Sequence, residues 1–182
     1  AGPDEKDANT LIQPEVTLKD WNKPDLKDVT AGIFPQWFEH ADPEVVKANF
    51  ALVEELKARG LKVVEIEIPD LNATRVAHAV TILTEMAASM QQYADHRKEQ
   101  GAPVRLNLAI GEALTSRDYL QAQRMRTRAM RNFAQVFSRV DVILTPATAK
   151  TAQPFLPGGL KGGWTDLTMD TEMMRFIIPG NL

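Results

Sequence analysis

Val29-Thr-Ala-Gly-Ile-Phe34, Asp42-Pro-Glu-Val45 and Leu61-Lys-Val-Val-Glu-Ile-Glu-Ile68 decide how this chain folds. The first stretch is short, β-branched and aromatic and runs into Pro35, so it reads as a strand. In the second, Asp42 stands at a helix N-cap and Pro43 at the first helical position. That helix continues to Arg59, with Val46, Phe50 and Val53 on one apolar stripe beside Val45, Leu52 and Leu56. Gly60 supplies a left-handed cap. In the third, Val64, Ile66 and Ile68 point one way and Glu65 and Glu67 the other, until Pro69 ends the strand. Strand, helix and strand with a short return form a βαβ unit, which predicts parallel pairing and a right-handed crossover.

Downstream, residues 72–100 read as one long helix broken once and closed by Gly101-Ala-Pro103. A second long helix is expected over about 115–140. Ala122, Met125, Ala129, Phe133 and Val136 lie on one side of it, and Arg117, Arg124, Arg128 and Arg131 on the other. Asp141-Val-Ile-Leu-Thr145 reads as a short buried strand ending at Pro146. Residues 147–164, with Pro154, Pro157, Gly158, Gly159, Gly162 and Gly163, read as loop. A short helix is expected over 171–178, stopped by Pro179-Gly180. Upstream, residues 1–28 are polar and punctuated by Pro3, Pro14 and Pro24, and read as an irregular connection.

The fold class is therefore α/β, part of a central sheet covered by long helices and incomplete in itself. The chain reads as a single partial domain over 1–182. Residues 1–28 are the connection, 29–146 the βαβ unit with two long helices and a strand, and 147–182 a loop and a short helix.

Composition removes several function classes. The chain has 182 residues, enough for one core, and is 44% apolar and 25% charged. A net charge of −3 argues against nucleic-acid binding by bulk charge, so the arginine stripe reads as a solvated face opposite the core. There is no cysteine, hence no disulfide, thiolate metal site or cysteine nucleophile. No apolar run approaches the roughly 20 residues of a membrane span. The cytoplasm is favoured, and membrane association and homodimerisation are left open. The start at Ala1-Gly-Pro-Asp4 without a methionine and the end at Ile177-Ile-Pro-Gly-Asn-Leu182 both read as cuts in a longer chain.

The residues able to carry chemistry are few. Ser89, Ser116 and Ser138 are the serines, and none sits in Gly-x-Ser-x-Gly. His40, His78 and His96 have no metal-ligand spacing. His78 shares a helix side with Thr81, Ile82 and Glu85, so it reads either as a core histidine with a partner or as part of a pocket. The glycine pairs do not form a phosphate-cradling loop. Met173, Met174, Phe176, Ile177 and Ile178 form an apolar cluster, either core or the wall of a pocket for an apolar acyl or aryl group. No catalytic residue, metal site or cofactor is expected in this chain.

The order of these segments resembles one family. Ala1-Gly-Pro-Asp4 with Asp7 is similar to the stretch that amidase-signature enzymes carry after their Ser/Gly-rich signature. Ala31-Gly-Ile-Phe-Pro-Gln-Trp-Phe38, Ala58-Arg-Gly60 and Val63-Val-Glu-Ile-Glu-Ile-Pro69 resemble the family's strand, helix cap and second strand. Ala77-His-Ala-Val-Thr-Ile82 followed by Glu85-Met86 resembles the fatty acid amide hydrolase-like branch. Asp141-Val-Ile-Leu-Thr-Pro146, Met174-Arg-Phe176 and Asn181-Leu182 are similar to late segments of the same fold.

The resemblance implies a mixed central sheet wrapped by helices and a parent chain that hydrolyses carboxylic amides through a Ser-Ser-Lys mechanism. It places that triad upstream of Ala1, and neither Lys62 nor Lys150 matches the family's lysine. It implies that this piece helps bind a small amide or ester substrate, with Met174, Phe176, Ile177, Thr145, His78 and Met86 as candidate lining residues. The remainder of the amidase chain is the implied partner. The alternative is a non-catalytic α/β binding or interaction module, or a degenerate amidase scaffold. Alone, the piece is expected to expose strand edges and apolar patches and to aggregate.

Overall fold

A computed structural model describes residues 3–11, 18, 22, 25–154, 156–159 and 165–182. Ala1, Gly2, Pro14, Pro24, Gly162 and Gly163, which enter the sequence reading, lie outside the described residues.

The first strand forms over Thr30–Ile33 (β1). Pro35 then opens a short helix, Pro35–Phe38 (α1). The expected helix follows as Pro43–Ala58 (α2), and Gly60 turns the chain at a φ of 102°. That left-handed geometry suits glycine, which lacks a Cβ. The chain returns as Lys62–Glu65 (β2), parallel to β1 from Thr30↔Lys62 to Ile33↔Glu65. Val142–Ile143 (β3) pairs with the other edge of β1, also parallel, giving the order β2-β1-β3. β2 stops short of the expected 61–68, although the Ile66 N–H still reaches the Ile33 carbonyl at 2.9 Å. β3 is likewise prolonged by the bonds Asp141 N–H to Thr30 O, 2.8 Å, and Leu144 N–H to Gly32 O, 2.9 Å.

Alternation along the strands supplies both faces of the sheet. Ile33, Val63 and Leu144 pack with Phe38, Phe50 and Val53 on the α2 side. Val64, Ile66 and Ile143 pack on the other side with Trp37, Val136 and Phe176. A parallel sheet covered on both faces is the arrangement a βαβ unit predicts. Gly32 permits the close approach, since a Cβ there would lie 2.8 Å from Ile66 Cδ1.

The long helix is broken as expected. Leu71–Met90 (α3) passes into a 3-10 stretch, Gln91–Glu99, with a non-helical Tyr93. Gly101-Ala-Pro103 does not only close that helix. It opens another, Ala102–Ala113 (α4), with Gly101 at the N-cap and Pro103 in the first turn. Proline lacks only an N–H that a first turn leaves unpaired anyway, so one proline marks both an end and a beginning. Ser116–Phe137 (α5) starts with a capping box between Thr115 and Asp118. Its arginines are exposed, and Ala122, Ala129 and Val136 are buried.

The expected helix over 171–178 is replaced by two. Leu167–Met173 (α6) starts at Asp166, whose carboxylate accepts the N–H groups of Thr168 and Met169. Ile178–Asn181 (α7) has Pro179 in its first turn, so Pro179 begins a helix rather than stopping one. Apolar surface is left open, as expected for the chain alone. Val76 is 63% exposed on α3 and Met130 62% on α5, and beyond β3 no described strand pairs.

Candidate functional site

α5 and the open side of β3 converge on a concave groove of about 610 Å³. From α5 come Ala129, Met130, Phe133 and Phe137, with Arg126 at one end. The spacing of these positions puts them on one helical stripe. Opposite them lie Val142, Ile143 and Thr145, and the base holds Trp37 and Phe176. The Trp37 and Phe176 rings pack at a centroid separation of 5.4 Å, tilted by 49°, a geometry favoured by aromatic quadrupoles. Phe176 is only 5% exposed, so its ring is core on one side and groove wall on the other.

Of the six candidate lining residues, Thr145 and Phe176 come together here. Met174 and Ile177 sit on the same stretch but are 39% and 44% exposed and do not line the groove. Met86 is half-buried far along α3, and His78 is buried on the same helix; neither lines the groove. Trp37, Phe133 and Phe137 were not among the candidates. For Phe133 and Phe137 the signal was present in the α5 stripe, whereas nothing local links Trp37 to residues more than a hundred positions away.

His78 does not share a bond with Glu85. The Glu85 carboxylate accepts from the Tyr119 hydroxyl at 2.9 Å, and Thr81 Oγ1 accepts from the Gln123 amide at 3.1 Å. The facing helix α5 supplies nearer donors than a histidine two turns away. His78 Nε2 is buried without a hydrogen-bond partner, and burial lowers the pKa of the ring below its ordinary value.

Ion pairs fasten the groove's floor. Glu172 on α6 accepts from Arg75 on α3 at 2.9 Å and from Arg175 Nε at 3.0 Å. The hydrogen bond from Arg175, aided by Arg75, holds its carboxyl below the usual range against partial burial. Arg175 also reaches His40 Nδ1 at 3.4 Å. Asp42 does not cap α2 with its side chain. Its carboxylate instead takes the Lys150 ammonium at 2.7 Å, while its N–H donates to Ala149 O at 2.8 Å. The Lys150 hydrogen bond pulls the Asp42 pKa down.

Among the described residues no serine hydroxyl is hydrogen-bonded to a histidine, lysine or carboxylate, and no cluster of three His, Asp or Glu could hold a metal ion. Ser116 is the first residue of α5 and Ser138 its C-cap. What the groove offers chemically is apolar binding surface with a cation at one end, not a nucleophile and base. No helix among the described residues is long and apolar enough to cross a membrane.

The Amidase family model matches residues 1–180. A fatty acid amide hydrolase of Medicago truncatula is 37% identical over 161 residues, covering 86% of this chain and 26% of that protein. A fatty acid amide hydrolase of Arabidopsis thaliana is 32% identical over 155 residues, covering 83% of this chain and 26% of that protein. The chain thus spans about a quarter of the length of these curated relatives. In structure it is similar to a crystallised amidase, with a TM-score of 0.70 and 24% identity over 86% of this chain and 37% of that one. That likeness concerns the fold alone.

Proposed function

The chain belongs to the amidase family, and on that premise we propose that it is a substrate-binding section of a hydrolase that cleaves carboxylic amides of apolar acyl groups. The observation that carries the proposal is the apolar groove that joins Thr145 and Phe176, in a chain 37% identical to a protein named for fatty acyl amides. The bond-breaking groups in this reading are a nucleophilic serine, a bridging serine and a lysine that lie outside residues 1–182. The serines present here support it, since none has an activating partner within reach.

The groove's part in such a reaction is positional. Burying an apolar acyl group against Phe133, Phe137 and Val142 releases roughly 25 cal/mol for each Å² removed from water. That binding energy holds the scissile carbonyl at a nucleophile and excludes water from it, which converts a collision into an intramolecular event. The pairs Arg75–Glu172 and Asp42–Lys150 keep the 145–178 stretch seated while this happens.

The test uses the full-length polypeptide that carries this chain. Phe137 lines the groove and is 50% exposed, so Phe137→Ala leaves the fold intact. The expected result is a KM for long-chain acyl amides raised by roughly tenfold, from about 1.5 kcal/mol of lost apolar contact, with short-chain amides unaffected. Absence of amide hydrolysis, or an equal loss for both chain lengths, refutes the proposal.

A further inference from the structure

We propose that the groove beside α5 is a seat for an apolar-tailed carboxylate, its head held by Arg126 and its tail laid toward Phe137. The proposal rests on the reading of the groove as an acyl-binding wall and adds the chemistry of one end.

Arg126, Met130, Phe133 and Phe137 recur at helical spacing along α5. From Arg126 to Phe137 the helix rises about 16 Å at 1.5 Å per residue. The two ends of this trough differ. At the near end the Arg126 Nε–H donates to the Leu182 carbonyl oxygen at 2.5 Å. That bond fixes the plane of the guanidinium and leaves its two terminal nitrogens without a partner among the described residues. Other arginines around the helical layer are neutralised: Arg75 by Glu172, Arg97 by Glu112, Arg128 by Asp70. No such carboxylate faces Arg126 among the described residues. At the far end stands Asp141, whose carboxylate accepts the Thr30 N–H at 2.8 Å and repels a second anion.

An oriented, uncompensated guanidinium at the mouth of an apolar trough matches a planar carboxylate better than any neutral head, because its paired N–H groups fit both oxygens. The opposite charges at the two ends set the direction of the ligand. A fatty acid has this shape, whether it is released by hydrolysis of an acyl amide or taken from solution.

The experiment is calorimetric titration of the full-length polypeptide with dodecanoate, dodecanol and hexanoate, each kept below aggregation. Dodecanoate is expected to bind at one site, with dodecanol and hexanoate weaker. Arg126→Gln is expected to weaken dodecanoate by roughly tenfold or more, the loss of a charge-assisted contact, and to leave dodecanol unchanged. Arg126→Lys is expected to fall between, since it keeps the charge and loses the fork. Equal binding of dodecanoate and dodecanol, or an Arg126→Gln variant that binds dodecanoate like the parent, overturns the carboxylate seat while the acyl wall stands. No binding of any alkyl ligand overturns both the seat and the wall. Carboxylate binding in a polypeptide that hydrolyses no amide supports the seat and refutes the proposed activity alone.

Discussion

Replacing Gly111 by alanine tests how α4 is held against α3. Gly111 is buried, and a Cβ built on it would lie 2.2 Å from the Leu83 carbonyl oxygen, 2.8 Å from the Leu83 carbonyl carbon and 3.1 Å from Ala87 Cβ. Two of these neighbours are backbone atoms of α3, which cannot swing aside as a side chain can. Helix propensity alone favours the substitution, since alanine in a helix interior is about 1 kcal/mol better than glycine. The overlap has the opposite sign. To restore ordinary contact α4 must retreat by more than an ångström, which opens the seam around buried Leu108 and costs about 1–3 kcal/mol. The overlap lies at the severe end of that range, so the net expectation is a destabilisation of about 1–2 kcal/mol. Urea denaturation of the full-length polypeptide measures it, read as a lower midpoint at unchanged slope. A Gly111→Ala variant as stable as the parent, or more stable, refutes the claim that close helix contact fixes this position.

Two further substitutions separate packing from charge. Phe176→Ala removes a ring that is 5% exposed and packed on Trp37; a loss of about 3–5 kcal/mol is expected from the cavity it leaves, and a loss below about 1 kcal/mol in the same denaturation assay would remove Phe176 from the core. His78 has a pKa lowered by burial, so the unfolded chain takes up its proton first as pH falls below about 6.5. Its contribution to stability is therefore full above that pH and is lost as pH drops through the lower, folded value. The His78→Leu variant, melted from about pH 7.5 to about pH 5, is expected to show a shallower acid limb than the parent, and parallel curves would contradict the assignment.

Local signals were legible and distant ones were not. The Pro43 helix start, the Gly60 cap and the alternation at 64–68 each depend on a few neighbouring residues, and each is found in the structure. Pro103 and Pro179 misled because proline forbids the helix before it and suits the first turn of the helix after it. Asp42 looked like a cap, but its carboxylate meets Lys150, 108 residues along the chain, which no local pattern reveals. The candidate site divides in the same way. The apolar stripe of α5 could be read from spacing, whereas the meeting of Trp37 with Phe176 depends on how α1 and the 174–178 turn pack across the sheet. Met174 and Ile177 share a short apolar run with Phe176, yet only alternate positions of such a turn face inward.

If residues 1–182 bind substrate for a serine-dependent amidase, its nucleophile lies elsewhere in the polypeptide. A serine-directed fluorophosphonate probe, applied to the active full-length polypeptide and located by peptide mass spectrometry, tests this directly. The expected result is a single labelled serine outside residues 1–182, with labelling and hydrolysis lost together. Labelling of Ser89, Ser116 or Ser138 would contradict it.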